Sequence, residues 1–104
     1  MTSPTLRELV DMLPGTLGEH CRATARYASA QVMSETMAHD ATLGYLVRWL
    51  LDRGAKIEKD AGVYDILVPA GEIQQIVTGT TPLEAAVRAV GVISDANPDA
   101  TRTG

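Results

Sequence analysis

Residues 50–68 read LLDRGAKIEKDAGVYDILV, and this stretch decides the fold. Before Gly54 the apolar residues recur at helical spacing, and after it they alternate. Upstream, Leu43, Leu46, Val47, Leu50 and Leu51 form an amphipathic stripe. It predicts a helix that starts at a cap on Asp40 and ends at Gly54, a residue suited to the left-handed position after a helix. Downstream, AKIEKD (55–60) and VYDILV (63–68) predict two strands, joined by Ala61-Gly62 as a β-hairpin. Tyr64, Ile66 and Val68 share one face, and Ile57 can face the same way. Pro69 and Gly71 end the hairpin.

Beyond the hairpin, residues 71–79 admit two readings. Ile73, Ile76 and Val77 fit a short helix, whereas Ile73, Gln75 and Val77 would alternate on a strand. The helix is the preferred reading. Thr81-Pro82-Leu83-Glu84 combines a capping box with proline at the first helical position. Leu83, Ala86, Val87, Val90 and Ile93 then line one face of a last helix, which Asn97-Pro98 ends.

Towards the N-terminus, Ser3-Pro4 is expected to open a short helix with Leu6, Leu9, Val10 and Leu13 buried, stopped by Pro14-Gly15. Thr16 and Glu19 have capping-box spacing, and a long second helix is expected to run to about His39. Its apolar face is made of small residues around Leu17, Cys21, Ala25, Ala28 and Val32, with Met33 and Met37 beside it. Such a face suits close packing on a neighbour, or a homodimer through the Ala-rich helix 17–38.

The order of elements predicts an α+β fold with a helical N-terminal half, a two-stranded antiparallel hairpin and a C-terminal helix packed in layers. Tyr64, Ile66 and Val68 are expected to lie under the third and last helices. The expected organisation is one domain over residues 1–96. Residues 1–40 form its helical extension, 41–94 its α-β-β-α core, and 97–104 a flexible tail.

The helix end LLDRGA (50–55), the strands KIEKD and VYDILV, and the closing TPLEAAVRAV (81–90) together resemble the phage ABA sandwich domain, a small α-β-β-α module. The resemblance covers residues 44–93, about half the chain, and leaves residues 1–40 and 71–79 outside it. It implies a phage setting and a non-catalytic accessory role, and it carries no functional residues over.

Composition narrows the function further. Thirteen acidic residues face nine basic ones, for a formal charge of −4 in 104 residues. Nucleic-acid binders need a cationic surplus to displace counterions from phosphates, so a nucleic-acid partner is not expected. Arg48, Arg53, Lys56 and Lys59 lie close in sequence, but Asp52, Glu58 and Asp60 interrupt them, which reads as a solvated mixed face. A single cysteine, Cys21, cannot form an internal disulfide. No apolar run approaches the ~20 residues that span a bilayer. Arg7, Glu8 and Asp11 stand where a signal peptide would be apolar. A cytoplasmic protein without membrane association is the expectation.

Candidate chemistry is sparse. Glu35, His39 and Asp40 cluster near one end of the expected long helix, and His20 and Cys21 near the other. On one continuous helix the two histidines would lie ~28 Å apart, too far to share a metal. Cys21 reads as a small buried residue of the alanine face rather than a nucleophile. Thr78 to Thr81 reads as a helix cap rather than an anion site, because Glu84 in the first turn would repel a phosphate. No catalytic residue, metal or cofactor is expected.

Tyr45 and Trp49, four apart on the third helix, can serve either as an exposed aromatic anchor for a partner or as core folded over the hairpin edge. Asp52, Glu58, Asp60 and Asp65 are the acidic residues placed to steer onto a basic partner. The expected function is that of a small acidic intracellular binding protein, not an enzyme, acting on a host or phage protein as an accessory or anti-defence factor. The alternative is a small-molecule or nucleotide-binding protein with its ligand at a dimer interface.

Overall fold

A computed structural model describes residues 5–60, 63–70 and 73–96. In chain order these form α1 (Leu6–Asp11), α2 (Gly15–Ser29), α3 (Glu35–Asp52), β1 (Lys56–Asp60), β2 (Val63–Ala70), β3 (Ile73–Gly79) and α4 (Pro82–Ala96). The architecture is α+β, as the order of elements predicted. The expected Ser3-Pro4 helix start, the Ala61-Gly62 link, the stop at Gly71, the Asn97-Pro98 helix end and the polar tail lie outside the described residues, while Pro69 does not end its strand: β2 runs on to Ala70, with Pro69 opposite Gln74.

The sheet has three strands, not two. β2 is central, with β1 and β3 antiparallel on either side. The short helix preferred for residues 71–79 is, over the described Ile73–Gly79, a strand. Its β-branched residues Ile73, Ile76, Val77 and Thr78 favour the pleated conformation, and pairing with β2 satisfies backbone groups that a hairpin would leave open. Register sets Ile57, Ile66 and Val77 in one row across the sheet, and Ile66 and Val77 are buried.

α4 covers that buried face, packing on both β2 and β3, while α1 and α3 also pack on α4. A helix covered on several sides must be small or apolar nearly all round. Leu83, Ala85, Ala86, Val87, Ala89, Val90 and Ile93 are all buried, and so is Glu84. The expectation that α3 shares the cover of the sheet gives way to a different layering, in which α3 packs on α2 and α4. Gly79 permits the close approach of sheet and helix: a Cβ there would stand 2.5 Å from the Ala85 amide nitrogen.

The long helix expected up to His39 is two helices. α2 ends at Ser29, and the Gln31 and Val32 amides close on the Ala28 and Tyr27 carbonyls. This is a Schellman ending with Gln31 at the left-handed position, φ 61°. α3 then starts on Ser34, whose hydroxyl accepts the Met37 amide, so the cap is Ser34 and not Asp40. The break has no Gly or Pro, which is why helical periodicity reads straight through it. Ser34 followed by Glu35 is the signal that marks it. α3 ends as expected, with Gly54 at φ 84° and the Gly54 and Ala55 amides bonded to the Leu51 and Leu50 carbonyls.

Other ends also differ in detail. Thr5 caps α1 by accepting the Glu8 amide. Pro14 stands at the cap position of α2 with no side-chain cap, so Thr16, expected as the cap, lies inside the first turn of the helix. The box at Thr81 does form: its hydroxyl accepts the Glu84 amide. The small face of α2 is spent inside the chain, where Leu17, Cys21 and Ala25 join the same core cluster as Leu46, Leu50 and Ile66. Leu46 and Leu50 are fully buried, each worth ~1.5–3 kcal/mol, whereas Leu51 is exposed. Among the described residues, no helix is long and apolar enough to cross a membrane.

Candidate functional site

α3 presents Tyr45, Arg48, Trp49 and Asp52 at spacings of three and four, so they share one side of the helix. That side faces Leu17 and His20 of α2 across an open groove of about 330 Å³. Tyr45 is half exposed and meets the His20 ring edge to face, with centroids 4.3 Å apart. Such a contact fixes the ring and contributes about 0.5–1.5 kcal/mol beyond the area it buries.

Trp49 lies deeper, only 7% exposed. The Arg53 guanidinium sits 3.8 Å above its ring and donates to its backbone carbonyl at 3.2 Å. The indole Nε1–H is buried without an acceptor among the described residues. Of the two aromatics, then, Tyr45 reaches solvent, and Trp49 forms the floor beneath a stacked cation. Trp49 belongs to the same core cluster as Ile66 and Val68 of the hairpin, with Arg53 stacked over its ring.

Asp52 lies on α3, whereas Glu58, Asp60 and Asp65 lie on the β1–β2 ladder. Asp52 lines the groove near Arg48 and Arg53, and Arg48 and Asp52 make no ion pair with each other. Glu58 and Asp65 stand directly opposite on β1 and β2, with Thr78 next in the row on β3. Two carboxylates at paired positions disfavour the strand pairing modestly. Asp60 pairs with Val63 at the end of the same ladder.

The remaining sequence candidates resolve locally. Cys21 is fully buried, and desolvation pushes its thiol up to about 11 against the opposing pull of Arg22. At neutral pH it is a thiol, a poor nucleophile. His39 Nδ1 lies 3.4 Å from Asp40, its neighbour, while His20 is engaged with Tyr45. Among the described residues, no three His, Cys, Asp or Glu side chains could hold a metal. At the start of α4, a Glu84 oxygen accepts the Thr80 amide, so the helix end is occupied by its own carboxylate.

Sequence reasoning missed the roles of His20, Leu17 and Arg53 beside Tyr45 and Trp49. Arg53, four residues after Trp49, was a readable signal. The pairing of α2 with α3 was not, because the helix break that allows it carries no breaker residue. No family model, curated protein or solved structure matches the chain.

Proposed function

We propose that this protein is a non-enzymatic binding protein that engages another protein through the α2–α3 groove. One observation carries the reading: Tyr45, braced by His20, is held half exposed over a groove with an aromatic floor. An amphipathic ring that loses little freedom on contact is the usual kind of interface anchor. Arg48 and Arg53 outnumber Asp52 along the groove, which suits a partner segment bearing an apolar side chain next to a carboxylate. This reverses the steering first expected from the acidic residues, with Glu58 and Asp65 on the sheet left as a second, acidic surface. A cytoplasmic setting and a phage accessory role belong to the same proposal, the latter implied only by the resemblance noted above.

The test is to capture a partner with the wild-type chain, identify it, and measure its affinity for Tyr45→Ala and Arg48→Glu. A loss of roughly tenfold or more for Tyr45→Ala is expected. Unchanged affinity in both variants, with their circular dichroism intact, ends the proposal.

A second reading, binding of a small ligand in the same groove, is favoured by the orphaned Trp49 Nε1–H. A buried donor without an acceptor costs about 1–3 kcal/mol, and a ligand acceptor would recover it. A thermal-shift screen of metabolites and nucleotides tests this, with Trp49→Phe as the control. A hit that stabilises Trp49→Phe equally well counts against it. Self-association is a separate proposal and needs a surface other than Leu17, Cys21 and Ala25, which the core already holds. Light scattering across concentration reads it directly.

A further inference from the structure

The chain carries nine Lys and Arg residues against thirteen acids, yet three of its arginines line one small cleft between α1 and α2. Arg22 and Arg26 are one helical turn apart on α2, and Arg7 faces them from α1. Arg22 is held rigidly. Its Nη1 donates to the Leu13 carbonyl at 3.0 Å and to the Val10 carbonyl at 3.3 Å. Gly18 makes room for it, since a Cβ there would come within 2.8 Å of the same nitrogen.

Arg7 and Arg26 make no ion pair among the described residues. The one carboxylate lining this cleft is Asp11, so three arginines and a single acidic residue line it. The cleft holds about 70 Å³, well above the ~10–15 Å³ that one water needs on the same measure. A second cavity of about 160 Å³ shares Arg7, Ala25 and Ser29 with it and adds Leu6, Ala28 and Glu35.

We propose that this cleft binds the phosphoryl group of a small phosphomonoester, whose polar body lies in the adjoining cavity. A phosphate dianion balances the excess of guanidinium charge, and its oxygens match the planar fork that Arg presents. The pre-set Arg22 lowers the entropic cost of closing on the ligand. Glu35 can accept a hydroxyl of the ligand body, and Leu6 and Ala28 give that body an apolar wall. Asp11 opposes the anion and keeps the empty site from excessive charge. The site is separate from the α2–α3 groove and does not depend on the reading of that groove.

The experiment is a titration of the full ¹⁵N-labelled chain with inorganic phosphate, glycerol 3-phosphate and glycerol at constant ionic strength. Both phosphates are expected to give saturable shifts at α1 and α2 amides, and glycerol none. Arg7→Gln and Arg26→Gln, both at exposed positions, are each expected to weaken binding roughly tenfold. Asp11→Asn is expected to tighten it several-fold, a gain that a merely structural role would not produce. The absence of saturable shifts with either phosphate, or equal binding by the Arg7→Gln/Arg26→Gln double variant, overturns the proposal. Equal affinity for the two phosphates overturns the assignment of the adjoining cavity to the ligand body.

Discussion

Arg88 Nη2 lies 3.5 Å from Glu84 Oε1, one turn back on α4, while its Nη1 donates to the Thr78 backbone carbonyl at 2.9 Å. The same Glu84 oxygen accepts the Thr80 amide. One nearly buried carboxylate thus ties the start of α4 to the end of β3, and an exposed guanidinium extends that tie onto the strand. Replacing Glu84 with Ala removes a cap acceptor and leaves the Thr80 amide without its partner. A loss of about 1–3 kcal/mol is expected in urea unfolding. Arg88→Ala should cost less, because the pair is half exposed. It also uncovers the Thr78 carbonyl on the edge strand β3 and removes a nearby charge on α4, so it should raise concentration-dependent self-association in light scattering.

Gly79 and Gly91 make a matched pair of alanine substitutions. At Gly79 the new methyl would meet the backbone of Ala85, which cannot swing aside, so Gly79→Ala should cost about 1–3 kcal/mol or more. At Gly91, inside α4, nothing lies within 4 Å of the new methyl. Gly91→Ala should therefore stabilise by up to about 1 kcal/mol through helix propensity. Equal effects of the two in thermal unfolding would mean that α4 does not approach β3 as described.

Gln31 occupies a left-handed conformation that costs a residue with a Cβ about 1–2 kcal/mol. Glycine avoids that cost but loses more backbone entropy on folding, about 0.5–1 kcal/mol. Gln31→Gly is expected to raise stability modestly, by up to about 1 kcal/mol, and Gln31→Val to lower it. A drop for Gln31→Gly would indicate one continuous helix through residues 30–34.

Cys21 predicts a pH effect with a defined sign. Its thiol titrates near 9.0 when solvated and is pushed up to about 11 by burial. The folded state therefore holds the proton more tightly across that window, and stability should fall as pH rises from about 9 to about 11. Because other groups titrate there too, the measurement is the difference between wild type and Cys21→Ala in urea unfolding. A difference that stays constant from pH 8 to 11 contradicts the prediction. A thiol reagent at neutral pH should react at the rate of unfolding rather than at the rate of a free thiol.

Local chemistry was legible wherever a short stretch carries its own instruction. The Gly54 helix end, the strands read at 55–60 and 63–68, and the Thr81–Glu84 cap each depend on neighbours a few residues away, and each stands close to where expected, though β2 runs on through Pro69 to Ala70. Residues 73–79 did not yield, because a segment with both periodicities takes the state its neighbour rewards, and the open edge of β2 rewards a strand. The break at 30–34 did not yield either, since Gln31 pays in backbone strain for a turn that most chains mark with glycine.

The composition and order of the chain were enough to establish an acidic α+β protein with an aliphatic core and to single out Tyr45 and Trp49. Which of the two faces solvent, which histidine braces it, and the meeting of Arg7 with Arg22 and Arg26 depended on how α1, α2 and α3 pack. Those relationships join residues far apart along the chain, and burial and charge at such contacts come from three-dimensional packing, on which linear spacing is silent.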